Sequence, residues 1–136
     1  MARILLTEDD DAVRAFVQRA LQIDNHEVLV ACDGAEAMEI LTKEEGRFDL
    51  LLSDVKMPVM DGIALALNTA RTWPDLTILL MTGYADQRER AHGLDLLVHD
   101  IVTKPFSLAD IRKAVGEAVA APTPDRQVDA PMAAQR

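Results

Sequence analysis

The chain has 136 residues, 49% hydrophobic, 27% charged and 4% aromatic, which fits one domain with an aliphatic core and excludes two ordinary domains or a largely disordered polypeptide. Its net charge of −9 repels phosphate backbones, which disfavours nucleic acid as a partner and favours cations and basic protein patches. Cys32 has no second cysteine to pair with, MARILLTEDD lacks the apolar stretch of a secretory signal, and no apolar run reaches the roughly 18–20 residues that span a bilayer, so a soluble protein of a reducing cytoplasm with no membrane partner is expected.

Ile4-Leu5-Leu6 is a short apolar run, and Val13, Phe16, Val17, Ala20 and Leu21 then recur at a helical period, with Asp10 or Asp11 as the cap. Val28–Ala31 reads as a second strand, and Asp33-Gly34 opens a helix carrying Ala37, Met38 and Leu41 that Gly46 ends. Phe48–Ser53 is a third strand whose unbroken apolar run suits a parallel strand covered on both faces, and Asp54 terminates it. Asp61-Gly62 reads as cap and turn for a helix over 63–70, and Trp73-Pro74-Asp75 breaks the chain before a fourth strand at Thr77–Met81. A charge-rich helix around Arg88–Leu97, a fifth strand at Ile101–Thr103 and a last helix capped by Ser107 complete the series. Five strands alternating with five helices predict an α/β fold with a doubly wound, five-stranded parallel sheet over residues 1–120. The three prolines and sparse apolar content beyond Ala120 predict a disordered tail over 121–136.

In such sheets the working crevice lies at the carboxyl ends of the strands. Glu8, Asp9 and Asp10 follow the first strand, Asp54 the third, Thr82 the fourth and Lys104 the fifth, so these residues are expected on one rim. Two carboxylates about 4 Å apart repel by roughly 4 kcal/mol at an effective dielectric near 20, so gathering Glu8, Asp9 and Asp54 implies a bound cation. The donors are hard oxygens without His or Cys, which selects Mg2+ or Mn2+ over zinc or copper. Lys104 adds a positive charge and Thr82 a hydroxyl donor, both suited to phosphoryl oxygens on Asp54.

TEDD at 7–10, SDVKMPVMDG at 53–62, MTGY at 81–84 and TKPF at 103–106 resemble, in order and spacing, the CheY-like receiver domain of two-component response regulators. The resemblance covers residues 3 to about 119. It implies a flavodoxin-like fold and a signalling role rather than an enzyme's. Asp54 would accept a phosphoryl group from a histidine kinase or histidine phosphotransferase. Asp9 would be the direct Mg2+ ligand, Glu8 its outer-sphere partner and Lys56 the donor of a backbone carbonyl. Thr82 and Lys104 would be the switch pair, and Lys104-Pro105 would carry the family's cis peptide. The resemblance also places a partner surface on the last two helices and the fifth strand, with Arg88-Glu89-Arg90 within it. Where the family often carries Tyr or Phe, this chain has Ile101, which puts the aromatic coupling of the switch in doubt. By the same resemblance Tyr84, two after Thr82, would shield the phosphoryl group from water.

The chain's length leaves no room for an output domain after the receiver, so a stand-alone module, monomeric or weakly dimeric, is expected to act on a protein partner. MARILLTEDD and KPFSLADI are similar to the stand-alone receivers known as CpdR, which implies a role as adaptor for a ClpX-type protease. Two alternatives stand beside this. A haloacid-dehalogenase-like phosphatase also uses an aspartyl nucleophile with Mg2+, but its pattern has a second Asp where this chain has Lys56. The chain could also be a fragment of a DNA-binding regulator or hybrid kinase. His26, His92 and His99 lack metal-ligand spacing, Met57, Met60 and Met81 read as packing residues, and Cys32 reads as a small buried filler.

Overall fold

The computed structural model describes residues 1–83 and 97–124. In chain order these form β1 (Arg3–Thr7), α1 (Asp11–Ile23), β2 (Glu27–Ala31), α2 (Gly34–Lys43), β3 (Leu50–Asp54), α3 (Gly62–Thr72), β4 (Thr77–Thr82), β5 (Asp100–Thr103) and α4 (Leu108–Ala120). The helix expected around Arg88–Leu97, with its charge cluster, lies outside the described residues apart from Leu97, as does residue 125 onward of the expected tail.

All strand pairings are parallel, in the order β2-β1-β3-β4-β5, which is the doubly wound sheet that the alternation predicts. Successive side chains point to opposite faces. Leu5, Leu51, Ile78 and Leu80 therefore pack on one side against Ala37 and Leu41 of α2 and Leu65, Ala66 and Ala70 of α3. Ile4, Leu6, Leu50, Leu52, Leu79 and Met81 pack on the other against Val17 and Leu21 of α1 and Ile111 and Val115 of α4. Both faces of the central strands are covered, which is why their sequences are apolar without alternation.

Among the described residues, each helix start is fixed by a side-chain cap. Asp10 Oδ1 accepts from Ala12 N–H (2.9 Å) and Val13 N–H (3.1 Å), so Asp10 rather than Asp11 caps α1. Asp33 and Asp61 cap α2 and α3 in the same way, and Ser107 and Asp110 form a reciprocal capping box on α4. Sequence reading starts β3 two residues early. Asp49 exchanges backbone and side-chain hydrogen bonds with Arg3, and Phe48 lies under the Arg3 guanidinium 4.4 Å from the ring centre, so pairing begins at Leu50. Cys32 is exposed rather than buried, because it stands just past the end of the edge strand β2. Met57 and Met81 are buried and Met60 packs against the core, as expected of packing residues.

Two glycines in helices differ in what surrounds them. A Cβ on Gly62 would lie 2.0 Å from the carbonyl oxygen of Asp54, whereas one on Gly116 meets nothing within 4 Å. Gly62→Ala is therefore expected to destabilise the fold by about 2–3 kcal/mol or more, and Gly116→Ala to stabilise it by about 0.5–1 kcal/mol. Urea unfolding of both variants checks the pair.

His26 Nδ1 accepts a hydrogen bond from Ala2 N–H at 2.9 Å, which requires that nitrogen to be unprotonated. Burial pushes the imidazole below its ordinary value of 6.5. A lowered folded value makes its contribution complete above about pH 6.5 and lost as the pH falls below that. His26→Ala should thus cost about 1 kcal/mol at pH 7.5, and the gap from wild type should narrow at pH 5.5 when melting is followed at both.

Candidate functional site

Strand register assembles the site. Thr7 of β1 stands opposite Ser53 of β3, so Glu8 follows beside Asp54. Thr82 of β4 stands opposite Thr103 of β5, so Lys104 leaves the sheet at the same rim. Glu8 and Asp54 are buried, Asp9 is exposed, and one oxygen from each of the three lies within 4.8 Å of the others. They line an open cleft of about 800 Å3 together with Asp10, Lys56, Met57, Gly83, Lys104 and Pro105.

The Lys104 ammonium sits 3.0 Å from Glu8 Oε1 and 3.2 Å from Asp54 Oδ1. Glu8 Oε2 also accepts from Asp10 N–H (3.1 Å), and Asp54 Oδ1 from Val55 N–H (3.0 Å). The peptide between Lys104 and Pro105 is cis, matching the expectation. Burial pushes the Glu8 carboxyl up to about 7. It raises Asp54 as well, against the pull of Lys104. Burial works to lower the Lys104 ammonium, but Glu8 and Asp54 outweigh it and hold the lysine above its ordinary value. The contribution of Glu8 to stability is therefore complete below the ordinary 4.5 and is lost as the pH rises through about 7. At neutral pH the cleft is a charge cluster that costs stability and that an added cation would relieve.

Oxygen donors from three carboxylates at this separation fit a hard divalent ion, and neither His nor Cys is among them. Lys56 is exposed on the cleft wall, where its main chain can contribute. Thr82 is fully buried, and its carbonyl accepts from Lys104 N–H at 2.7 Å, so β4 and the lysine are joined through the main chain. Gly83, rather than Thr82, is the cleft-lining residue at this strand end. Ile101 is half-buried against the α2–α3 side of the core. Tyr84 lies outside the described residues.

The loop from Val55 to Asp61 is held on both flanks by glycines. Gly62 N–H donates to the Val55 carbonyl (2.7 Å) and Gly34 N–H to that of Met60 (3.2 Å), approaches that a Cβ at either position would block. Between them Met60 N–H donates to the Pro58 carbonyl (2.8 Å) around Val59, whose φ is +68°. A β-branched residue in that region costs about 1–3 kcal/mol and persists where its surroundings impose it. Sequence reading finds the acids and the lysine but not these backbone approaches, for which DG at 33–34 and 61–62 is the visible signal.

The response regulator receiver domain family matches residues 4–116, and the chain belongs to that family. A receiver domain is a phosphoacceptor module of two-component signalling and a partner of histidine kinases, not a turnover enzyme, which sets aside the phosphatase reading. Response regulator MprA of Mycobacterium sp. (strain KMS) is 34% identical over 129 residues, covering 95% of this chain and 55% of MprA. The chain thus spans about half the length of this relative. Sensor kinase CckA of Brucella abortus is 38% identical over 116 residues, covering 85% of this chain and 12% of CckA. Among solved structures, chemotaxis response regulator CheY4 of Vibrio cholerae matches with TM-score 0.76 and 28% identity, covering 87% of this chain and 98% of CheY4. Response regulator TrrA of Thermotoga maritima, solved in complex with Mg2+ and BeF, matches with TM-score 0.76 and 26% identity, covering 87% and 99% of the two chains.

If the acidic triad is a cation site, MgCl2 should raise the melting temperature of the wild-type chain, by about 2.7 kcal/mol of stability at a hundred times the dissociation constant. Asp9→Asn should lose most of that gain. Equal gains in both proteins would place the ion elsewhere.

Proposed function

We propose that Asp54 accepts a phosphoryl group from a phosphohistidine on a kinase or phosphotransferase, and that the acyl phosphate changes the binding of this chain to a protein partner. The observation that carries this reading is the Lys104 ammonium shared by Glu8 and Asp54 in a cleft whose three carboxylates lie within 4.8 Å of one another. Glu8, Asp9, Asp54 and the Lys56 carbonyl would hold Mg2+, with Glu8 acting through water. Mg2+ bound there would neutralise charge on the carboxylates and the incoming phosphoryl oxygens.

In the transfer an Asp54 oxygen attacks phosphorus, the P–N bond to the donor imidazole breaks, and the departing nitrogen keeps the electron pair. Lys104 then exchanges its contact with Asp54 for one with a phosphoryl oxygen, a charge-assisted bond. Thr82, at the end of β4 and tied to Lys104 through the main chain, is the hydroxyl that follows the phosphoryl group. New contacts of this kind bias a two-state equilibrium and so alter the outer surface. Residues 1–120 form the receiver unit of this reading, and the cytoplasm, where histidine kinases present their phosphate, is its compartment. Among the described residues, no helix is long and apolar enough to cross a membrane.

A finer reading makes the partner a ClpX-type protease for which this chain serves as an adaptor. Its support is the likeness of MARILLTEDD and KPFSLADI to CpdR receivers.

Incubation with a small phosphodonor such as phosphoramidate and Mg2+ should add one phosphoryl group to the intact wild-type chain and none to Asp54→Asn. Labelling that survives in Asp54→Asn would move the acceptor. A pull-down with and without beryllofluoride should then retain ClpX differently in the two states, and equal retention would remove the adaptor reading.

A further inference from the structure

Residues 8–11 are four consecutive acids, and the structure gives three of them separate tasks. Glu8 holds Lys104 and the Asp10 N–H, Asp10 caps α1, and Asp11 binds Arg14 at 2.5 Å. A second nitrogen of Arg14 donates to the backbone carbonyl of Glu8 at 2.9 Å. One guanidinium therefore fastens the first and last residues of the acidic turn, with Asp9 between them. The Arg14 side chain is 18% exposed and that of Asp11 is 90% exposed. An ion pair so open on one side contributes little stability, whereas the planar fork reaching two acceptors fixes geometry.

We propose that Arg14 is a positioning residue for the divalent cation: by tying the Glu8 carbonyl to the Asp11 carboxylate it holds the Asp9 carboxylate towards Asp54. The inference rests on the reading of Glu8, Asp9 and Asp54 as the Mg2+ site and adds to it a residue that touches neither metal nor phosphate. The sign of the effect separates positioning from charge. Arg14 is a cation close to a cation site, so Coulomb repulsion alone makes its removal tighten Mg2+ binding. Loss of the staple does the opposite, because Asp9 is then free to turn to solvent.

Calorimetric titration of the full chain with MgCl2 decides between them. Arg14→Ala should weaken Mg2+ binding about tenfold, the scale of supporting-shell losses. Arg14→Lys, which keeps the charge but not the fork, should fall between it and wild type. Arg112→Ala, which removes the Arg112–Asp24 pair away from the cleft, should bind as wild type does. Unchanged or tighter binding by Arg14→Ala overturns the proposal. Should that variant fail to fold, wild-type affinity in Arg14→Lys overturns it equally. A wild-type chain that takes up no Mg2+ removes the site reading itself, a different result from a binding wild type with indifferent Arg14 variants.

Discussion

One ammonium shared between two buried carboxylates is the contact on which the site depends. Lys104 lies 3.0 Å from Glu8 and 3.2 Å from Asp54, two acids that leave different strands and are remote from it in sequence. With Glu8, Asp9 and Asp54 ionised, one lysine leaves two negative charges uncompensated, which is the charge of one divalent cation. Burial raises both the Glu8 and the Asp54 carboxyl above their ordinary values, so ionising them side by side is costly. The cost of this arrangement in the resting state is what gives an entering ion its affinity.

The sheet makes the encounter possible. Parallel strands end on one rim, and the order β2-β1-β3-β4-β5 puts β1 beside β3, where the chain turns to opposite sides. Glu8 and Asp54 leave these two strands side by side, while β4 and β5 bring Thr82 and Lys104 to the same edge. The apolar layers on both faces exclude water from beneath the acids and so supply the desolvation that perturbs them. The same burial that stabilises the fold thus tunes the site. The loop after Asp54 is anchored by the first residues of α2 and α3, whose backbones approach it closely enough to require glycine. The segment that follows Asp54 is thus hydrogen-bonded through the main chain to the starts of both helices.

Much of this was legible in the sequence because parallel strands covered on two faces must be apolar throughout, and because a carboxylate at the end of such a run needs a reason. Asp54, Glu8, Asp9 and Lys104 announce themselves by standing where a buried strand meets polar residues. The start of β3 is not legible from the apolar run because Phe48 is apolar for a different purpose, lying under Arg3 rather than in the sheet. The exposure of Cys32 follows from its place past the end of an edge strand, which composition does not record. Gly34 and Gly62 could be recognised as turn residues, but their contacts with the Asp54 loop are distances between segments remote in sequence. Sequence reading does not single out Arg14, because its bond to the Glu8 carbonyl depends on the shape of the turn.

In this reading, acids from two strands meet around one ion next to Lys104. Paramagnetic Mn2+ in substoichiometric amounts, followed by amide NMR of the full chain, tests it most directly. Signals of residues 8–10, 54–57 and 104 should broaden first while those of Arg3, His26 and Glu44 at the opposite end of the sheet stay sharp. Broadening that begins at that opposite end, or that spreads evenly over the acidic surface, would contradict it.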